Sequence, residues 1–85
     1  MKLYGDIKKG TKIIKHLLVE SNNEGLSFHD ALEENFVTLC RELDIPVPLW
    51  LKKNTVEFAS FRRTFFPKEQ FIEKVNFDRF EIRLE

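Results

Sequence analysis

The sequence predicts a single α+β domain over residues 1–85: a small, mainly antiparallel sheet, made of an N-terminal hairpin and a C-terminal strand, packed against one main helix, with a short second helix. Three patterns carry that prediction. Both ends of the chain alternate apolar and polar residues, the period of a strand with one buried face. A central segment repeats apolar residues every three or four positions, the period of a helix with one buried stripe. The chain is long enough for one hydrophobic core and too short for two.

Residues 2–8 place Leu3, Gly5 and Ile7 on one face. Lys9-Gly10 reads as a turn, because glycine tolerates the positive φ that tight turns demand. Residues 12–19 return as a second strand. Their Ile and Val residues favour extended backbone, and the segment is short. A three-residue loop would set Ile13 opposite Ile7 and Leu17 opposite Leu3. This strand is apolar on both sides, with Ile13, Leu17 and Val19 on one and Ile14 and Leu18 on the other.

Ser21-Asn22-Asn23-Glu24-Gly25 is a polar loop. The main helix is expected over 27–43, with Ser27 as N-cap and Asp30 at the capping-box position. Phe28, Leu32, Phe36, Leu39 and Leu43 form its apolar stripe. Asp30, Glu33 and Glu34 suit the positive end of the helix dipole. Asp44-Ile45-Pro46 ends it, because the residue before proline is pushed toward extended geometry. The apolar segment 45–51 should lie against the core. Asn54 is then an N-cap candidate for a helix over 55–63, with Phe58, Phe61 and Phe65 on one side, and a further turn follows over 67–71. Phe80, Ile82 and Leu84 mark the last strand, preceded by a bulge or bend at Asp78-Arg79, where the apolar phase slips.

Lysine and arginine number 14 and so do aspartate and glutamate, so the net charge is zero. That argues against a general polyanion binder. The neutrality is nevertheless a cancellation of blocks: +4 over 1–15, −6 over 16–45, +4 over 46–68 and −2 over 69–85. One cysteine, Cys40, leaves no intrachain disulfide and no cysteine zinc site. The N-terminus lacks the apolar core of a signal peptide, and no apolar run approaches the roughly 20 residues of a membrane span. The expected location is the cytoplasm, without a membrane partner.

The reactive groups point away from catalysis. Cys40 sits at the edge of the helical stripe, where a free cysteine is ordinarily a core residue. His29 and Glu33 share a helical face as a surface pair, while a transition-metal site would need three or four ligands. The three glycines lack phosphate-loop spacing, and Glu33-Glu34 point to different faces. The expectation is no enzyme, no cofactor and no metal. Lys52, Lys53, Arg62, Arg63 and Lys68, with Trp50 and Phe66 nearby, form the one candidate binding segment; cations would meet phosphates and aromatic faces would stack on bases. Against it, a small domain needs its Phe residues inside, and the arginines have Glu57, Glu69 and Glu73 as partners.

Lys2-Leu3-Tyr4-Gly5 with its lysine-rich turn, Leu39-Cys40-Arg41-Glu42-Leu43-Asp44-Ile45, Pro48-Leu49-Trp50-Leu51 and Asn76-Phe77-Asp78-Arg79-Phe80-Glu81-Ile82 together resemble a family of short uncharacterised proteins of clostridia and related Firmicutes. The resemblance spans nearly the whole chain. It implies a small stand-alone cytoplasmic protein and brings no catalytic residue, cofactor or partner. The leading expectation is a non-catalytic interaction module that associates with a protein partner or a second copy, because one helix covers one sheet face and a two-sided apolar strand wants more. Segment 45–66 is the alternative cover from within the chain. The alternative function is a nucleic-acid-binding module using residues 52–68.

Overall fold

Strand β1 (Lys2–Lys9) turns back into β2 (Lys12–Glu20) through Gly10-Thr11, with Gly10 at φ 62°. A two-residue hairpin loop needs that positive φ, and glycine adopts it without strain. The computed structural model describes residues 1–22 and 24–85; of the polar loop expected over 21–25, Asn23 lies outside the described residues. The chain continues through α1 (Phe28–Glu42), α2 (Lys52–Phe61), β3 (Arg63–Pro67), a 3-10 turn (Lys68–Gln70) and β4 (Arg79–Leu84). The four strands form one antiparallel sheet in the order β2-β1-β4-β3. The α+β architecture is as the sequence predicts, with one strand more.

The hairpin register differs from the expected one. Leu3 faces Val19, Gly5 faces Leu17 and Ile7 faces Lys15; the register then slips, so that Lys8 faces Ile13. The extra residue is Ile14, a bulge in β2. A one-residue slip reverses the side-chain phase. Ile13 therefore shares a face with Lys8 and Leu18 and not with Leu17 and Val19, contrary to the regular alternation.

Helix α1 begins where expected. The Ser27 side chain accepts a hydrogen bond from the Asp30 amide at 3.1 Å. Its end is made by backbone geometry as well as by Pro46. Asp44 adopts φ 59°, its N–H donates to the Arg41 carbonyl, and the Ile45 N–H donates to that of Cys40. These paired bonds satisfy two carbonyls that would otherwise be orphaned. The buried face comprises Ala31, Asn35, Phe36, Leu39, Cys40 and the capping Leu43. Phe28, the first residue of the predicted stripe, is exposed.

The second half departs further. Asn54 is not the N-cap of α2. The helix starts at Lys52 with Leu51 as N-cap, and Asn54 lies buried in its first turn, accepting from the Leu51 N–H at 3.0 Å. From there Nδ2 of Asn54 donates to Thr64 Oγ1 at 2.7 Å and to the Phe65 carbonyl at 3.0 Å, tying α2 to β3. Gln70 Nε2 donates both to Asn54 Oδ1 and to the Leu49 carbonyl. The expected helix over 55–63 is cut short by Arg62, which turns left-handed at φ 58°. Residues 63–67 then pair with β4 as an edge strand. Phe61 is consequently exposed, while Phe66 is wholly buried on the core face. The expected irregularity before the last strand is a bend over residues 76–78, ahead of β4.

The core lies between one sheet face and a layer formed by α1, residues 45–51 and α2. Leu3, Ile7, Leu39, Phe66, Phe80 and Ile82 are at its centre, each at most 1 % exposed. Phe36, Trp50, Phe58, Phe66 and Phe80 form an aromatic cluster with ring centroids 5.3–6.1 Å apart, the spacing of favourable stacked and edge-on pairs. Segment 45–51 therefore lies in the same layer as α1. It does not cover the second sheet face.

Candidate interaction surfaces

Strand β2 ends the sheet on one side. It is nine residues long, and all but Leu17 and Val19 are exposed. Ile13, Ile14 and Leu18 are 55 %, 48 % and 38 % exposed. The core side is anchored by Val19 and Leu17, by Lys15 Nζ donating to the Leu43 carbonyl, and by the Ser21 hydroxyl on Asn35 Oδ1. Those contacts hold the strand flat against the domain and leave its outer edge to solvent. An apolar edge of this length is a template for pairing with another strand.

The second sheet face carries Tyr4, Asp6 and Lys8 of β1, His16 and Leu18 of β2, Arg79, Glu81 and Arg83 of β4, and Phe65 of β3. The Arg83 guanidinium lies 4.3 Å from the Tyr4 ring centre; Lys53 Nζ and the Arg79 guanidinium lie 4.5 and 5.3 Å from that of Phe65. These are cation–π distances. Acids thread the same face: Glu81 bridges Lys8 at 3.0 Å and Arg79 at 2.8 Å, and Asp6 pairs with His16.

The six residues expected to form a binding segment are only partly brought together. Lys53 lies over Phe65, and Arg63 lines a shallow depression together with Phe65, Tyr4, Arg79 and Arg83. Arg62 caps α2, Lys52 lies at its exposed start, and Lys68 lies at the far end of β3. Arg62 and Arg63 form no ion pair among the described residues, so Glu57, Glu69 and Glu73 do not hold them; Glu57 instead accepts from the Thr64 hydroxyl at 2.6 Å. Trp50 is on the opposite side of the sheet, packed edge-on to Phe36 and donating from Nε1 to Thr55 Oγ1 at 2.8 Å. Phe66 is buried beside it. The aromatic residues near the cations are Phe65 and Tyr4. Their signal was the outward half of each strand's alternation, but no sequence pattern says which strands are neighbours.

A third surface is the groove between α1 and α2, lined by Phe28, Leu32, Val37, Val47, Trp50 and Ala59, with a volume of about 540 Å³. His29 lies on its rim, with Nδ1 3.5 Å from Asp30 and 4.0 Å from Glu33. Asp30 is thus nearer than its offset around the helix suggests. No group of three His, Cys, Asp or Glu side chains that could hold a metal occurs among the described residues. Cys40 is fully buried, and desolvation pushes its thiol from 9.0 up to about 12, so it stays protonated at neutral pH, the unreactive form. No helix among the described residues is long and apolar enough to cross a membrane.

Compared with protein-family models, with curated proteins and with solved structures, the chain finds no match in any of the three.

Proposed function

We propose that the protein is a small non-catalytic interaction module that associates with a second copy of itself along β2. The exposed apolar edge of β2 carries this reading: Ile13, Ile14 and Leu18 lie on the one long strand with an unpaired side. Pairing would cover Leu18 and satisfy the outward backbone groups in one step. The module works in the cytoplasm, where its single thiol stays reduced. Sedimentation equilibrium tests the association. A dimer is expected at micromolar concentration, and a monomer up to the highest micromolar range overturns it.

A second reading has one observation in its favour. Lys53, Arg63, Arg79 and Arg83 gather around the rings of Phe65 and Tyr4, the ingredients of a single-stranded nucleic-acid platform. It ranks second because Asp6, Glu57 and Glu81 share that face. A gel shift with single-stranded oligonucleotides at low salt decides it. Binding that weakens with salt and with K53Q/R63Q supports it, and no shift at low salt removes it.

A further inference from the structure

Taking self-association along β2 as its premise, the backbone and side-chain pattern of that strand also select a register. We infer that two copies join antiparallel, edge to edge through β2, about a two-fold axis passing at Leu18. The result is one continuous eight-stranded sheet in the order β3-β4-β1-β2-β2-β1-β4-β3.

The direction of the free backbone groups comes first. Met1 and Ser21 exchange two hydrogen bonds, Ser21 N–H to the Met1 carbonyl at 3.1 Å and the Met1 amino group to the Ser21 carbonyl at 2.9 Å. In an antiparallel ladder such reciprocal pairs alternate with unbonded ones. Val19, Leu17 and Lys15 are therefore bonded toward β1, opposite Leu3, Gly5 and Ile7. Glu20, Leu18 and His16 aim their N–H and C=O groups at the open edge.

The bulge limits where a partner can pair. Ile14 interrupts the regular ladder, leaving residues 15–20 as the straight stretch. Within it, facing residues of a two-fold pair must lie on the same sheet face, so a residue must sit on the axis. An axis at Leu17 sets Lys15 against Val19 and His16 against Leu18. An axis at Val19 sets Leu18 against Glu20. An axis at His16 pairs two imidazoles and runs both ends into the bulge. Only the axis at Leu18 matches every pair: Leu18 against Leu18, Leu17 against Val19, and His16 against Glu20 on both sides. Matched apolar and base–acid cross-strand pairs each stabilise a sheet, and mismatched ones do not. Glu20 forms no ion pair among the described residues, and His16 uses Nδ1 for Asp6, so that in the imidazolium form Nε2–H is the donor left for the partner's carboxylate.

Single-cysteine variants test the register, since Cys40 is buried and an introduced thiol is the accessible one. At an axial hydrogen-bonded pair the two Cα atoms lie about 5.5 Å apart, within disulfide reach. With the axis at Leu18, two copies of residue 17 lie about 8 Å apart and two copies of residue 16 about 14 Å, both beyond it. Under copper-catalysed oxidation of the folded protein, L18C is expected to form a covalent dimer at least about ten times faster than L17C or H16C. L18K, which puts two like charges on the axis, is expected to sediment as a monomer with an unchanged circular dichroism spectrum. If the native protein is a dimer but cross-links fastest at residue 16 or 17, the Leu18 axis is wrong and self-association stands. If it is a dimer and none of the three cross-links, the interface lies elsewhere, with the groove between α1 and α2 the next candidate. If the native protein is monomeric, the premise falls as well.

Discussion

Gly5 sits where the sheet and α1 approach most closely, and alanine there measures that fit. It is buried in the middle of β1, opposite Leu17 on one side and Ile82 on the other. A Cβ at this position would lie 2.7 Å from Leu39 Cδ2, 3.0 Å from Leu39 Cγ and 3.0 Å from Phe80 Cε1. Carbon atoms are at their best separation only at about 3.5–4.0 Å. Leu39 and Phe80 are both completely buried, so neither can swing into solvent to make room. Overpacking of this kind costs about 1–3 kcal/mol. Gly5 has no positive φ, so alanine also restricts the unfolded chain and returns about 0.4–1 kcal/mol. The expected net loss for G5A is about 1–2 kcal/mol, or a Tm lower by about 5–15 °C in a domain of this size. Thermal and urea unfolding followed by circular dichroism would measure it, for G5A, L39A and the double variant. L39A alone should cost about 2–5 kcal/mol. It also removes both atoms of the worst contact, so adding G5A to it should cost far less than adding G5A to the native protein. Undiminished stability of G5A, or an equal loss in both backgrounds, would refute the close approach of β1 and α1.

N54A should lose about 2–4 kcal/mol in urea unfolding, because Leu51 N–H, the Thr64 hydroxyl, the Phe65 carbonyl and Gln70 Nε2 all bond to that one buried amide; a loss below about 1 kcal/mol would mean that these partners rearrange. F61S, at a site the helical spacing suggests is buried but the structure leaves 67 % exposed, should change stability by no more than about 0.5 kcal/mol. A larger loss would put Phe61 back in the core. The buried thiol of Cys40 stabilises the fold fully below pH 9 and loses that contribution as pH rises toward about 12, because only the unfolded chain ionises easily there. Over that range native stability should fall more steeply with pH than that of C40A, by up to about 1.4 kcal/mol per pH unit; parallel curves would show that the thiol is not shielded.

Local patterns were legible where a segment's own residues settle its structure. Ser27 caps α1 because its hydroxyl reaches an amide three residues on, and Gly10 turns the hairpin because the turn needs positive φ. β4 follows from the alternation of Phe80, Ile82 and Leu84. β3 was hidden because Phe58, Phe61 and Phe65 have helical spacing, and the left-handed turn at Arg62 carries no glycine to announce it. The candidate surface was obscured for a related reason. Lys53, Phe65, Arg79 and Tyr4 come from four separate elements, so their closeness is a product of strand order.

By itself, then, the sequence determined the α+β class, the antiparallel hairpin, the main helix with its N-cap, and the closing strand. Periodicity and capping are properties of neighbouring residues, and they survive in the folded chain. Tertiary structure alone decided the bulge at Ile14, the outward position of Ile13 and Phe61, the inward position of Trp50 and Asn54, and the conversion of residues 63–67 into a strand. Each depends on what lies across from a residue: a free strand edge to pair, a helix against Gly5, a buried hydroxyl for an amide to reach. The sequence lays apolar residues on both sides of β2; the fold covers one side with α1 and leaves the other, with Ile13 and Leu18, open to solvent.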